Sequence, residues 1–408
     1  MVDRQEIIHQ LASPGTSKMV LLVLDGIGDL PVDGTPKGKT GFTPLMTANT
    51  TNLDTIARES ELGQTIPVLT GITPGSGPGH LSLFGYDPLR YEIGRGILEA
   101  LGIDVEVGEK DLVARGNFCT LEGDIVVDRR AGRPSTEENI EVCKIINSAI
   151  QMIEDVDVRV IPGKEHRFVL KLTGEGLDDH LTDADPQRTG IPYLLTKPLN
   201  DSSEKAARVI NTFLKRLQVL LKDQPKLNFG LIRGFSRYPD IPNFNEVNHF
   251  RSACIATYPM YKGIAKLVGM DVLEGAGTIA EEFDLLERHY EAYDFFYVHI
   301  KKTDSYGEDG NFEAKASVVE EVDKEIPRLL ALDPDVIAVT GDHSTPCVMK
   351  AHSWHPVPFM IRSQYCRKGV STAFDETQSA LGTLGTFPAV DVMTLIMAHA
   401  MRLDKYGA

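Results

Sequence analysis

Ser76 lies among Gly75, Gly77, Pro78 and Gly79 in the stretch 72–83, I-T-P-G-S-G-P-G-H-L-S-L. Glycines let a backbone approach a ligand closely. A glycine-rich turn that runs into a helix offers free N–H groups and a positive dipole end to a phosphate. The pattern therefore predicts a hydroxyl displayed at an anion site. Alone, the same stretch reads first as a surface turn, because Gly, Pro and Ser dominate turns. A set of carboxylates and histidines elsewhere reverses that order.

The set falls at the ends of apolar runs. Asp25 follows 19–24, M-V-L-L-V-L. Asp304 and Glu308 follow 294–300, in K-K-T-D-S-Y-G-E-D-G. Asp342 and His343 follow 336–340, in T-G-D-H-S-T-P, and His352 and His355 lie in A-H-S-W-H-P-V-P. Each has a plainer reading. Asp25-Gly26 could be a strand-ending turn, Asp304 and Glu308 a helix-capping pair, and His355 a contact to substrate rather than to an ion. Chance placement of all of them at several strand ends is the poorer explanation. Ligands of open α/β sheets bind beyond the carboxyl ends of the strands, so these side chains converge on one cleft. Asp, Glu and His without thiolates suit Mn²⁺, Zn²⁺ or Mg²⁺, and there are enough of them for two ions. Two ions can clamp the attacking and leaving oxygens of a phosphoryl transfer and lower the pKa of a hydroxyl.

Basic residues form the second group. Arg115, Arg129, Arg130, Arg133, Lys164, His166 and Arg167 crowd one part of the chain, with Arg233 and Lys262 beyond it. Arginine pairs bidentately with phosphate and carboxylate. Singly, each reads as solvated surface. Their grouping around glycines, in R-G-N-F, R-R-A-G-R and G-K-E-H-R, favours a grip on an anionic substrate.

Both groups need a scaffold. The apolar runs read as strands buried on both faces of a parallel sheet, at 19–24, 253–257, 294–300, 336–340 and 357–361. Helical patterns fall at 43–58, capped by Thr51 or Asn52, and at 313–330 and 391–403. Residues 87–99 read as a loop. Strands alternating with helices predict a doubly wound α/β core. The character changes near residue 111. A hairpin within 113–133 turning at Glu122-Gly123, a strand at 167–172, and helices at 137–153 and 203–221 predict a smaller α+β insert. The expected division is a core of 1–110 and 226–408 around an insert of 111–225.

A length of 408 residues agrees with two domains. There are 42 Lys and Arg against 58 Asp and Glu, a net charge of −16. That speaks against a nucleic-acid surface, but not against a local basic pocket. The five cysteines are widely spaced with no C-x-x-C, so a reducing cytoplasm is expected. No apolar run reaches the roughly 20 residues of a membrane helix, and the N-terminus shows no signal peptide. Oligomeric state is not legible, and a homo-oligomer stays open.

Together the motifs V-L-D-G-I-G-D, T-G-I-T-P-G-S-G-P-G-H-L, F-G-Y-D-P, R-G-N-F-C-T, D-R-R-A-G-R, G-K-E-H-R, H-I-K-K-T-D, E-D-G and T-G-D-H-S-T-P resemble the archaeal-type cofactor-independent phosphoglycerate mutases. The likeness runs from about residue 19 to the C-terminal K-Y-G-A. It implies an alkaline phosphatase-like core with an inserted substrate domain, and a small phosphorylated three-carbon acid as substrate. It implies two divalent ions, Mn²⁺ first, with Zn²⁺, Co²⁺ or Mg²⁺ as alternatives. Ser76 would become phosphoserine. Asp25, Asp342 and His343 would hold one ion with Ser76, and Asp304 and His352 the other. The wider superfamily places a histidine four residues after the first aspartate of that second site, where this chain has Glu308. Arg115, Arg129, Arg130, Arg133, Arg167 and Lys262 would contact phosphate or carboxylate, with His166 nearby. The insert would close to exclude water, hinging near residues 111 and 225.

Overall fold

The computed structural model describes residues 4–33, 41–367 and 369–407. The chain divides into two compact units, Met1–Glu92 with Ile241–Ala408, and Ile93–Asp240.

The larger unit is built on an eight-stranded sheet. Its order is Asp271–Val272, Ser252–Ala256, Phe295–Ile300, Met19–Leu24, Val336–Thr340, Val357–Ser363, Glu61–Ile66 and Gly385–Pro388. All neighbours are parallel except Val357–Ser363, which runs against both of its partners. The three central strands are buried at every position. This is why their sequences are continuous apolar runs rather than alternating ones. Helices Ile279–His289 and Phe312–Ala331 contribute Phe283, Leu286, Val318, Val322 and Ile326 to a core with Val20, Leu22 and Leu24. Helix Pro259–Leu267 packs on strands Ser252–Ala256 and Asp271–Val272, and helix Val392–His399 on Val336–Thr340.

The smaller unit holds an antiparallel sheet ordered Ile125–Asp128, Asp111–Glu122, Arg167–Thr173, Val156–Pro162 and Met152–Ile153, with Phe229–Ser236 also paired to Asp111–Glu122. Helices Thr136–Ala149 and Glu204–Leu221 cover one face, where Phe118, Phe168, Leu170, Ile146 and Phe213 form the core.

Several local expectations are corrected. The smaller unit begins before residue 111 and ends after 225. Residues within 87–99 are not all loop: helix Arg95–Gly102 packs on strands Asp111–Glu122 and Phe229–Ser236. The strand Phe229–Ser236, unseen in the sequence, extends the unit at its other end. The 43–58 stretch is two helices, Pro44–Thr47 and Thr51–Ala57. Neither Thr51 nor Asn52 caps. Thr43 caps the first helix, and the Asn52 amide instead donates to Asp323.

Candidate metal centre and anion-binding face

In the larger unit the three central strands end side by side, and each delivers a charged loop. Asp25 directly follows Met19–Leu24. Lys301 follows Phe295–Ile300 and leads into helix Lys302–Asp309, which carries Asp304 and Glu308. Asp342 and His343 follow Val336–Thr340. The fourth contribution is helix Ser76–Leu83, of which Ser76 is the first residue. The helix comes close only because residue 79 is glycine: a Cβ there would lie 2.4 Å from the Asp342 carbonyl oxygen. Gly26 is needed for another reason. Its φ is +62°, and a Cβ would collide with Thr345 Oγ1 at 2.4 Å.

Two groups of ligand-capable atoms result, Asp25–Asp342–His343 and Asp304–His343–His352, sharing His343. Hydrogen bonds settle which nitrogens face inward. The Thr345 hydroxyl donates to Asp304 Oδ1 (2.6 Å) and so accepts from His343 Nδ1 (3.0 Å). This leaves the His343 Nε2 lone pair 3.3 Å from Asp25 Oδ1 and 3.2 Å from Asp342 Oδ2. The Ser76 hydroxyl donates to the same nitrogen at 3.4 Å. His352 Nδ1 donates to the Pro74 carbonyl (3.0 Å), so its Nε2 faces Asp304 Oδ1 at 3.5 Å. The two imidazoles stack, with centroids 3.6 Å apart.

Asp25 Oδ1 and Asp342 Oδ2 are buried and make no hydrogen bond. Orphaned carboxylate oxygens facing a lone pair are costly by themselves. They become favourable when a divalent cation joins them, so the residues fit metal ions. Burial by itself would raise the Asp25 pKa, but Lys301, then His299 and His343, outweigh it and hold the carboxyl well below its usual range. Asp342 is lowered in the same way: burial and Asp25 oppose ionisation, and His343 and His80 prevail. Burial lowers His343 itself, which favours the neutral, ligating form.

Glu308 stands at the margin. Its Oε1 is 3.9 Å from His352 Nε2, and its side chain is 56% exposed. His355 enters neither group; Nδ1 hydrogen-bonds Ser353 Oγ (3.0 Å) and the ring stacks on Trp354. Lys262 belongs to this unit and pairs with Glu274.

Sequence reasoning missed the residues that support this centre. Lys301 Nζ bridges Asp25 Oδ2 (3.0 Å) and Asp304 Oδ2 (2.5 Å) and reaches the Tyr261 hydroxyl (3.1 Å). H-I-K-K-T-D held the signal, since Lys301 and Asp304 are three residues apart at a helix start. His299 Nε2 is 3.2 Å from Asp25 Oδ2, and His80 Nδ1 donates to the Ser76 carbonyl (2.8 Å).

In the smaller unit the basic residues gather by register. Arg115 pairs with Arg233, and Asn117 with Arg167, so alternation puts all four on one sheet face. The opposite face holds the core residues Ala114, Phe118, Phe168 and Ile232. The crowding is visible in the titrations. Burial lowers Arg233 to about 10, with Arg115 and Arg95 adding to it. Burial, then Arg167, Arg130 and Arg115, lower His166 to about 4. Arg233 Nε and His166 Nδ1 are buried without a hydrogen bond. Arg129 is paired with Asp185 at 2.7 Å. Arg130 and Arg133 are exposed on a turn that Asp128 builds by accepting from the N–H groups of Arg130 (2.8 Å) and Gly132 (2.6 Å). Lys164 is exposed. Arg95 was not foreseen, because its stretch read as loop.

Comparison with known proteins adds the family. Residues 57–226 match the family described as 2,3-bisphosphoglycerate-independent phosphoglycerate mutase. A protein of Thermosipho melanesiensis, named as a probable 2,3-bisphosphoglycerate-independent phosphoglycerate mutase, is 64% identical over the whole of both chains. A solved structure of a Pyrococcus horikoshii protein is 31% identical, with a TM-score of 0.82 over 96% of this chain and all of that one. The cofactor-independent phosphoglycerate mutase of Thermoplasma acidophilum is also 31% identical, with a TM-score of 0.69 over 94% of this chain and all of that one. The chain belongs to the 2,3-bisphosphoglycerate-independent phosphoglycerate mutases.

Proposed function

We propose that the enzyme interconverts 3-phosphoglycerate and 2-phosphoglycerate through a phosphoserine at Ser76, with two divalent ions, Mn²⁺ first, as cofactors. The observation that carries this reading is the pair of ligand groups sharing His343, with the Ser76 hydroxyl on the same nitrogen. Asp25, Asp342 and His343, with Ser76, would hold one ion; Asp304 and His352, with Glu308 at the margin, the other. Bound there, the ions would lower the pKa of a hydroxyl and neutralise phosphoryl charge.

The chain's own groups account for the rest. Ser76 Oγ gives up its proton and attacks phosphorus in line, forming the Oγ–P bond as the bond to the glycerate oxygen breaks, and that oxygen takes up a proton in its place. Ser76 begins a helix, so free N–H groups and the dipole favour the phosphoryl oxygens. The other glycerate hydroxyl then attacks phosphoserine, loses its proton and releases Oγ. Arg115, Arg129, Arg130, Arg133 and Arg167, with His166 and Lys262, bind the carboxylate and phosphate, so that glycerate rather than water meets phosphoserine. The reaction belongs to glycolysis and gluconeogenesis in the cytoplasm. The test is one reaction of purified protein, 3-phosphoglycerate and Mn²⁺, followed for both 2-phosphoglycerate and free phosphate. Free phosphate without 2-phosphoglycerate would make the protein a hydrolase and end this reading.

A further inference from the structure

Lys315 lies on helix Phe312–Ala331 and is completely buried. Its ammonium donates to the Gly26 carbonyl (2.8 Å), Asp29 Oδ2 (2.9 Å) and the Thr345 carbonyl (2.9 Å), with the Gly28 carbonyl at 3.4 Å. An ammonium has three hydrogens, and three good acceptors meet them. Asp29 ends the motif V-L-D-G-I-G-D, yet no step of the reaction uses it. Its carboxylate also accepts from the Cys347 N–H at 3.1 Å. The Thr345 N–H donates to the carbonyls of Gly26 (3.2 Å) and Gly28 (3.0 Å). One buried cation thus ties together two loops. One loop begins at Asp25, and the other runs from Asp342 and His343 to Cys347.

We propose that Lys315 is a positioning residue for the metal centre, a tethered cation that holds the Asp25 loop and the Asp342–His343 loop in ligating register. The spacing supports this. Gly26 directly follows Asp25, and Thr345 is the residue whose hydroxyl fixes the tautomer of His343. A shift of either carbonyl therefore moves a ligand. A charged group is retained in such a site only when it is fully paired, because burying it is otherwise expensive. A hydrophobic residue of similar length would fill the space but remove the cation's bonds to both loops, leaving the weaker backbone contacts between them to hold the register.

The inference rests on the metal-centre reading above, and the experiment separates the two. Mn²⁺ binding to purified protein is titrated by calorimetry, without substrate. Lys315→Gln keeps donors and loses the charge. Lys315→Met is paired with Asp29→Asn, so that no lone carboxylate is left buried. Far-UV circular dichroism reports folding. The expected result is folded protein whose Mn²⁺ half-saturation rises about 10-fold or more, less for Gln than for Met. A folded variant with the wild-type midpoint overturns the proposal, whatever its melting temperature. Failure of both variants to fold also overturns it, because the lysine would then hold the unit together rather than its ligands. A wild-type chain that binds no Mn²⁺ sinks the metal-centre reading first, and this one with it.

Discussion

Two histidines measure how differently the two units are built. Burial pushes His80 down, but Asp342 at 3.1 Å more than reverses this and its pKa is raised. Burial pushes His166 down as well, and there the neighbouring Arg167, Arg130 and Arg115 push further, to about 4. The same side chain thus reads a negative field in the larger unit and a positive one in the smaller. Asp25, Asp304 and Asp342 share Lys301, His299 and His80 as cationic or donor partners. Arg115, Arg129 and Arg233 share Glu99 and Asp185. Carboxylates thus gather at the strand ends of the larger unit, and arginines on one sheet face of the smaller. In the proposed reaction the first group would hold the metal ions and the second the substrate's anionic groups.

The largest effects fall where the chemistry would occur. Ser76→Ala should lower turnover by about 10³-fold or more while leaving the fold in place. Retention of more than a few per cent of activity would mean a different nucleophile. Exhaustive chelation should abolish activity, Mn²⁺ should restore it, and 2,3-bisphosphoglycerate should add nothing to the rate. Full activity after chelation would break the comparison at its negative end. Asp342→Asn should resemble chelation, since it removes charge from the group that also holds His343.

The smaller unit should respond in another way. Arg130→Ala or Arg133→Ala removes a fork suited to carboxylate. Each should raise KM for 3-phosphoglycerate by about 30-fold or more, and should reduce phosphate release far less than phosphoryl transfer. The ratio of free phosphate to 2-phosphoglycerate, read from one reaction, should therefore rise. If both products fall in equal proportion, these arginines serve the phosphoryl group or the fold, and the assignment of carboxylate to them is wrong.

The two regions were also unequally legible. Asp25, Asp342 and His343 could be found because a strand buried on both faces is an unbroken apolar run, so a charge at its end is conspicuous. The insert offered alternating patterns instead. Its strand Phe229–Ser236, N-F-G-L-I-R-G-F-S with its preceding residue, contains two glycines and one arginine, and its partner lies more than a hundred residues earlier in the chain. Cross-strand pairing of that kind leaves no local mark, so the register joining Arg115 to Arg233 was invisible. Helix Arg95–Gly102 was hidden by the glycines at 94 and 96, which read as loop but let the helix lie against the sheet. Lys315 was hidden for the opposite reason, because one lysine among the charged residues of a long helix reads as solvated surface.

The smallest effect is expected at Glu308, where the negative site meets solvent. Asp304 is 1% exposed and bound by Lys301 and Thr345, so it is fixed before any ion arrives. Glu308 is on the same helix one turn later, more than half exposed, with His352 Nε2 3.9 Å away. A mobile carboxylate must lose rotamer freedom to ligate, and in water its charge is screened. Its contribution should therefore be a fraction of that of Asp304. Glu308→Gln should raise the Mn²⁺ concentration for half-maximal activity by about 3- to 10-fold and leave the maximal rate close to wild type. Glu308→His puts an imidazole in place of the carboxylate, and should recover affinity while shifting preference from Mn²⁺ toward Zn²⁺. A titration of both ions against wild type and the two variants decides it. If Glu308→Gln is as damaging as Asp304→Asn, Glu308 swings inward on ion binding and is a full ligand. If neither variant changes either titration, the second ion is held by Asp304, His343 and His352 without it.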